Sequence, residues 1–169
     1  MGSSRAVAGT LLFLVVAPGV VAGVIPWVLT DWESGDSFGS LGVIRVVGAV
    51  VLVAGVFVLL EAFARFVLEG RGTPAPVAPT ERLVVGGLYR FVRNPMYLAV
   101  GAMIVGQAFL LLRAILLGYA AVFFVAVAAF VRWYEEPTLA RTYGGRYEAY
   151  RRAVPGWLPR RTPWEGDVP

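Results

Sequence analysis

The sequence predicts an all-α integral membrane protein, with about four transmembrane helices and a C-terminal amphipathic helix on the cytoplasmic side. Three observations predict it. Of the 169 residues, 58% are hydrophobic and only 15% are charged, against about 45–50% and about 25% in soluble domains. The mean hydropathy is +0.71. The apolar residues are gathered into long runs, close to the roughly 20 residues that a bilayer core demands of a helix.

The whole chain, 1–169, reads as one membrane domain without internal repeats. Residues 1–69 are expected to hold two N-terminal spans. Arg5 precedes the first run, Ala6 to Leu29, where Pro18 and Pro26 predict a kink or a frayed end, both tolerated in membranes. The next loop, Thr30 to Ser40, carries Asp31, Glu33 and Asp36 and no basic residue. The second run goes from Leu41 to Leu68, with Arg45 near its start. Glu61 and Arg65, four apart near its end, share a helix face and can pair. An ionisable residue inside a span is costly, which makes Glu61 a functional candidate. The plainer account is a mutually neutralising pair at the interface.

Residues 70–94 are expected to form a cytoplasmic loop, rich in Gly and Pro around Gly70, Gly72, Pro74, Pro76 and Pro79. Residues 95–159 then carry a helical hairpin and an amphipathic helix. Asn94 is a favoured N-cap and Pro95 a favoured first helical residue, so a helix is predicted to start there and enter the membrane. Its span is Met96 to Leu112. Arg113 marks a short turn, and a fourth span runs from Ala114 to Val131, antiparallel to the third. Beyond it, Leu139, Tyr143, Tyr147, Tyr150 and Val154 fall on one stripe at helical spacing, with Arg141, Glu148 and Arg152 opposite. Gly144-Gly145 predicts a bend within that helix. Residues 160–169 form a tail, expected to be disordered from Thr162.

Arginine counting orients the chain. The N-terminus, the Arg71–Arg93 segment and the tail hold nearly all the arginines, while the 30–40 loop is acidic. Both termini and the central loop are therefore expected in the cytoplasm. The chain has no cysteine and no histidine, and all fifteen basic residues are arginine. This excludes disulfides, thiolate and imidazole chemistry, Cys/His zinc sites and haem held by those residues. No metal and no nucleic-acid partner is expected, since the net charge of +4 sits at predicted membrane edges, where it meets anionic lipid. The arginine-only, Ala/Val/Gly-heavy composition points to a GC-rich, bacterial genome, hence to a bacterial cytoplasmic membrane.

Two short stretches carry chemistry. In GGLYRFVRNPMY, Gly86 to Tyr97, Arg90 and Arg93 lie three apart beside the start of a helix. Free N–H groups and the positive end of the helix dipole make an anion site there. Glu135-Glu136-Pro137 places two carboxylates where the fourth span is expected to end, at a helix terminus that disfavours acids. Cations or hydroxyls must receive them. The Arg90–Asn94 loop and the Glu135-Glu136 turn are therefore expected to face each other across a cytoplasm-facing pocket roofed by Tyr143, Tyr147 and Tyr150. An interfacial Arg–Glu network that locks helix ends would look the same.

The order Tyr89-Arg90-Phe91-Val92-Arg93-Asn94-Pro95-Met96-Tyr97, a short hairpin, Glu135-Glu136-Pro137, Tyr143-Gly144, Tyr147, Tyr150 and Val154-Pro155 with Pro159 resembles the isoprenylcysteine carboxyl methyltransferase family. That family, with the related phospholipid methyltransferases, comprises integral membrane enzymes that use S-adenosylmethionine. The resemblance covers Gly86 to Pro159; the first two spans match only as apolar helices. It implies that Tyr89, Arg93, Asn94, Pro95, Met96 and Tyr97 line the cofactor pocket. Glu135 and Glu136 would bind the cofactor's hydroxyl or amine groups, and Tyr147 and Tyr150 would close over it. The family usually has His where this chain has Asn94, and often Gly at Ala99. Asn keeps hydrogen bonding but cannot titrate near neutral pH.

Methyl transfer is an in-line displacement that mostly requires alignment and exclusion of water. For catalysis, Arg93 would hold a carboxylate acceptor; Glu136 or Glu61, with Glu135, would serve as base for an amine or hydroxyl. The acceptor is expected to be a lipophilic small molecule drawn from the bilayer, lipid or isoprenoid-like, and the sequence does not choose between carboxylate, amine and hydroxyl. Two other readings stand beside this one. Membrane sterol reductases share a similar C-terminal Arg/Tyr/Glu-Glu arrangement but bind NADPH, and a non-catalytic membrane protein could use the Arg–Glu network as scaffolding.

Overall fold

The computed structural model of the protein describes residues 16–35, 42–65, 68–69 and 83–166. All its regular secondary structure is helical among the described residues. The first helix, α1, covers Val16–Thr30. The second, α2, is Gly42–Arg65. A 3-10 turn at Gly87–Arg90 leads to α3, Pro95–Leu111. The long α4 runs Ala114–Tyr143, and α5 is Gly145–Ala153. The N-terminal part of the first run, residues 70–82 of the polar loop and the last three residues lie outside the described residues.

Two helices, α2 and α4, are long and apolar enough to cross a membrane. In each, only 17% of the most apolar 18-residue window is buried in the protein. A core helix of a soluble protein would be mostly buried, so these surfaces fit lipid better than water. Along α2 the exposed face is Val43, Val46, Val50, Val53 and Phe57. Of the four expected spans, the described part of α1 and the 17-residue α3 are shorter apolar helices. At 1.5 Å per residue α3 rises about 25 Å, short of the roughly 30 Å hydrocarbon core.

The same device appears in α1 and α4. Pro26 lacks an N–H, and its ring would collide with the carbonyl four residues back. Just before it, Val20–Val24 widens into a π-turn. The carbonyls set aside there are used: Gln107 Nε2 donates to Ala22 O at 2.8 Å, and Tyr119 Oη donates to Val21 O at 2.8 Å. These bonds tie α1 to both arms of the α3–α4 hairpin. In α4 the π-turn is Val131–Glu135, again just before a proline, Pro137. The helix that carries the expected fourth span does not end at Val131. The widened turn absorbs Pro137, and the helix continues to Tyr143, so Glu135 and Glu136 lie within a helix rather than at its C-terminus.

Helices α2 and α3 pack antiparallel along a seam of small residues. A Cβ on Gly48 would strike the backbone of Gly106 and Leu110, and one on Gly106 would lie 2.6 Å from Leu52 N. A Cβ on Gly55 would come within 2.9 Å of Ala99 O. Such contact lets backbones approach where lipid offers no hydrophobic drive. Around the seam, Leu59, Phe63, Ile104, Leu116 and Ala120 form the core. Leu112, with φ of 54°, turns the chain between α3 and α4. The acidic loop closes onto that end: Gly35 N donates to Leu111 O, and Arg113 Nε donates to Glu33 O at 3.0 Å.

Of the tyrosine stripe, Tyr147, Tyr150 and Val154 are buried and Leu139 and Tyr143 half-buried. Tyr147, Tyr150 and Val154 form a cluster packed by Leu139, Tyr143, Leu83 and Trp164. The helix breaks at Gly144, whose φ of 54° separates α4 from α5. The expected loose tail is not found up to Gly166, because Trp164 stacks near Tyr150, with ring centroids 5.4 Å apart, and donates its N–H to Arg90 O. Gly106→Val is expected to destabilise the protein by about 1–3 kcal/mol or more, because the new methyls meet α2 backbone that cannot move aside. Thermal melting in detergent measures it, with exposed Val53→Leu as the neutral control.

Candidate functional site

The loop before α3 is shaped by its neighbours. Gly87 has φ of +54°, and a Cβ there would collide with the side chains of Glu61 and Arg65. Glu69 accepts the Gly86 N–H at 2.9 Å, which fixes the loop's start to the end of α2. The loop's other edge pairs with the returning C-terminal segment. Arg93 N donates to Pro155 O, Asn94 N to Gly156 O, and Arg160 N to Phe91 O. Arg90 Nε donates to Trp164 O at 2.7 Å. These bonds give partners to the loop's N–H groups at Gly86, Arg93 and Asn94 and to its carbonyl at Phe91.

Arg93 is the hub. Its Nη1 donates to Glu136 Oε1 at 2.6 Å and to Tyr147 Oη at 3.0 Å. Its Nε donates to Val154 O at 3.0 Å. The other Glu136 oxygen lies 3.3 Å from Arg151 Nη2. The Arg93 and Glu136 side chains are only 14% and 11% exposed, so each charge is largely cut off from water and the pair is costly to break from one side. Burial pushes the Tyr147 hydroxyl above its usual range even though Arg93 beside it pulls the other way, so it stays protonated.

Glu135, one residue earlier, goes elsewhere. Tyr97, in the first turn of α3, donates to Glu135 Oε2 at 2.9 Å. Trp157 packs against Tyr97 with ring centroids 6.4 Å apart. Pro95 is fully buried, and Met96 packs between the main core and a cluster of Ala62, Val84 and Tyr89. Tyr150 donates to Tyr89 O at 2.6 Å, and burial holds both hydroxyls above their usual range. Asn94 caps α3 by position only. Its side chain makes no capping bond, and its Nδ2 is buried without a partner among the described residues.

The structure brings Arg93, Glu136 and Tyr147 into contact, joins Tyr97 to Glu135 one residue along the same helix, and ties Tyr150 to the Tyr89 carbonyl. Asn94 follows Arg93 directly, and its backbone N–H is held by Gly156 O. Arg90 turns away toward Trp164. Glu61 pairs with Arg65 at 2.9 Å and lies apart from the Arg93 cluster. Tyr147 and Tyr150 are 1% and 3% exposed, so they are built into the cluster's floor. Sequence reasoning passed over Arg151 and the carbonyls of Val154, Pro155 and Gly156. The only trace of Arg151 was its place beside the tyrosine stripe; carbonyls leave none.

Apolar helices with exposed faces, and a polar cluster bound to the start of one and the middle of another, fit a helical membrane protein with a buried Arg–Glu–Tyr site. A family model described as phospholipid methyltransferase matches residues 43–146, and the chain belongs to that family. This is a methyltransferase family, and the membership fits a membrane protein. The match runs from the start of α2 through the Glu135-Glu136-Pro137 turn and stops just before Tyr147. No curated protein and no solved structure gives a match.

Arg93→Ala strands Glu136 with only the half-exposed Arg151, and is expected to cost about 3 kcal/mol. Arg93→Lys is expected to recover only part of that, because an ammonium cannot reach Glu136, Tyr147 and Val154 O together. Melting temperatures of the two variants in one detergent compare them.

Proposed function

We propose that the protein is an S-adenosylmethionine-dependent methyltransferase, with four spans and both termini cytoplasmic, acting on a lipid or isoprenoid-like acceptor held in the bilayer. Family membership supports methyl transfer. The observation that carries the cofactor assignment is Asn94, 8% exposed, with an amide nitrogen that no described residue satisfies. A buried donor without a partner is costly, so a site that keeps one has an acceptor to meet. The cofactor's carboxylate and ring nitrogens are such acceptors.

The residues fit that group in three ways. Asn94 and the N-terminus of α3, with the N–H groups of Met96 and Tyr97 in its first turn, suit an anionic or lone-pair acceptor. Glu135, oriented by Tyr97, suits amine or hydroxyl donors. Tyr97, Trp157 and Tyr89 offer aromatic faces beside them, suited to a cation. When bound, S-adenosylmethionine supplies a sulfonium-activated methyl group. Glu136, with both oxygens bonded to arginine, serves with Arg93 as the brace that holds Asn94 and Glu135 at fixed separation, and Tyr147 completes that brace. Pre-setting these groups is most of what an aligned displacement asks of a protein.

Calorimetric titration of the detergent-purified chain with S-adenosylhomocysteine tests the reading. Binding with Kd on the order of micromolar is expected, and NADPH should give no heat and no change in melting temperature. Asn94→Ala is expected to weaken binding by about tenfold or more, yet leave the melting temperature unchanged or raised, because it removes an unsatisfied buried donor. A loss of about 1 kcal/mol in stability with affinity intact would instead mark Asn94 as an ordinary cap.

A further inference from the structure

Leu158 is the most exposed large apolar side chain among the described residues, at 80%. The next in rank, Trp133, Val43, Leu68, Phe57 and Val125, all lie on helical turns of α2 and α4 or just past α2. Leu158 does not. It sits in the irregular stretch 155–159 that follows α5, so no span explains its exposure. Nor is that stretch loose. The carbonyls of Pro155 and Gly156 accept the N–H groups of Arg93 and Asn94, and Arg160 N donates to Phe91 O, so both ends are fastened to the loop ahead of α3. Pro155 and Pro159 have fixed φ angles. Trp157 packs against Tyr97. The protein thus holds Leu158 outward on a rigid mount.

Its depth follows from α4. Glu135 comes 21 residues after Ala114, about 31 Å along the helix at 1.5 Å per residue, which matches a hydrocarbon core of about 30 Å. Tyr97 donates to Glu135 and Trp157 packs on Tyr97, so Trp157 and Leu158 stand near the boundary between acyl chains and headgroups. Trp133 and Tyr134, both exposed, mark the same level on α4, and Trp and Tyr favour that boundary. The charge around the tip agrees. Between Glu148 and Glu165 the chain has four arginines and no acid. Arg151 is committed to Glu136, whereas Arg152 and Arg161 are exposed and make no ion pair among the described residues.

We propose that residues 155–159 form a wedge that docks on the surface of the bilayer, with Leu158 and the edge of Trp157 seated at the boundary of headgroups and acyl chains and Arg152 and Arg161 at the phosphates. A rigid apolar tip with cations beside it suits a lipid leaflet, because the tip gains by leaving water while guanidinium groups meet phosphate. It does not suit a protein partner. One leucine and part of one tryptophan offer far less than the roughly 800 Å² per partner of a stable protein interface. The wedge needs α4 to cross a bilayer; it needs nothing of methyl transfer. Through Trp157 the leaflet would bear on Tyr97 and Glu135, and through the carbonyls of Pro155 and Gly156 on the loop that carries Arg93.

The test puts one nitroxide at a time on the full chain in nanodiscs of phosphatidylcholine and phosphatidylglycerol. The chain has no cysteine, so each introduced one is the sole labelling site. Leu158→Cys, Arg161→Cys, Val125→Cys in α4 and Ala149→Cys in α5 are compared by relaxation with oxygen, which gathers in lipid, and with a nickel chelate, which stays in water. All four side chains are exposed, so melting temperatures should match the parent protein. The oxygen-to-nickel ratio should fall in the order Val125, Leu158, Arg161, Ala149, with Leu158 well clear of Ala149. A Leu158 ratio equal to that of Ala149 overturns the proposal. So does a label at that position shielded from both reagents, which would mean a protein partner or a second copy of the chain on the tip. Without any label, Leu158→Asp should lower the melting temperature in the discs, because it drives a charge toward acyl chains; an unchanged value also overturns the wedge. S-adenosylhomocysteine plays no part in these readings, so they stand or fall apart from the methyltransferase reading.

Discussion

The bond between Arg93 and Glu136 holds the functional end of this protein together. It joins the loop ahead of α3 to the middle of α4, and Arg93 also reaches Tyr147 in α5 and the carbonyl of Val154. The loop at Arg93 and the later stretch from Glu136 to Val154 therefore converge on one guanidinium. Arginine suits the place because its planar fork directs several donors at once and it does not lose its charge on burial. The backbone pairing of Arg93 and Asn94 with Pro155 and Gly156 then keeps the C-terminal segment across the same loop.

Two prolines set the geometry that makes this convergence possible. Each follows a π-turn, and each π-turn changes which residues face the hairpin. In α1 the turn exposes carbonyls that Gln107 and Tyr119 occupy. In α4 it carries the helix past the point where a simple apolar run would stop, so two carboxylates arrive inside a helix and meet the start of α3. The glycine seam between α2 and α3 draws those helices together and brings Glu61 up against the loop at Gly87.

Much of this was legible. The apolar runs, the start of α3 at Pro95, the Glu61–Arg65 pair, the buried tyrosine stripe and the break at Gly144 all follow from local rules of spacing, capping and charge. The closeness of the Arg93 loop to Glu135 and Glu136 was legible as well, because two acids among apolar residues need donors. Less was legible where the deciding partner is backbone or lies far away. The return of the tail through Arg160 and Trp164 uses main-chain bonds, which polar, proline-rich composition conceals. The continuation of α4 was hidden because Pro137 reads as a helix stop unless a π-turn precedes it.

By itself the sequence determined that the helices are apolar along their length, that thiol and imidazole chemistry are unavailable, and that Arg93, Asn94 and the two glutamates belong to one region. Composition and periodicity suffice for that, since they act over a few neighbouring residues. Only the tertiary structure decided how adjacent residues divide their work. One step along an α-helix turns a side chain by about 100°, so Glu136 meets Arg93 while Glu135 meets Tyr97. Likewise Arg93 enters the cluster, Arg90 leaves it for Trp164, and Asn94 keeps a buried amide with no described partner. Those outcomes depend on where several distant segments stop relative to one another, and no local pattern carries that distance.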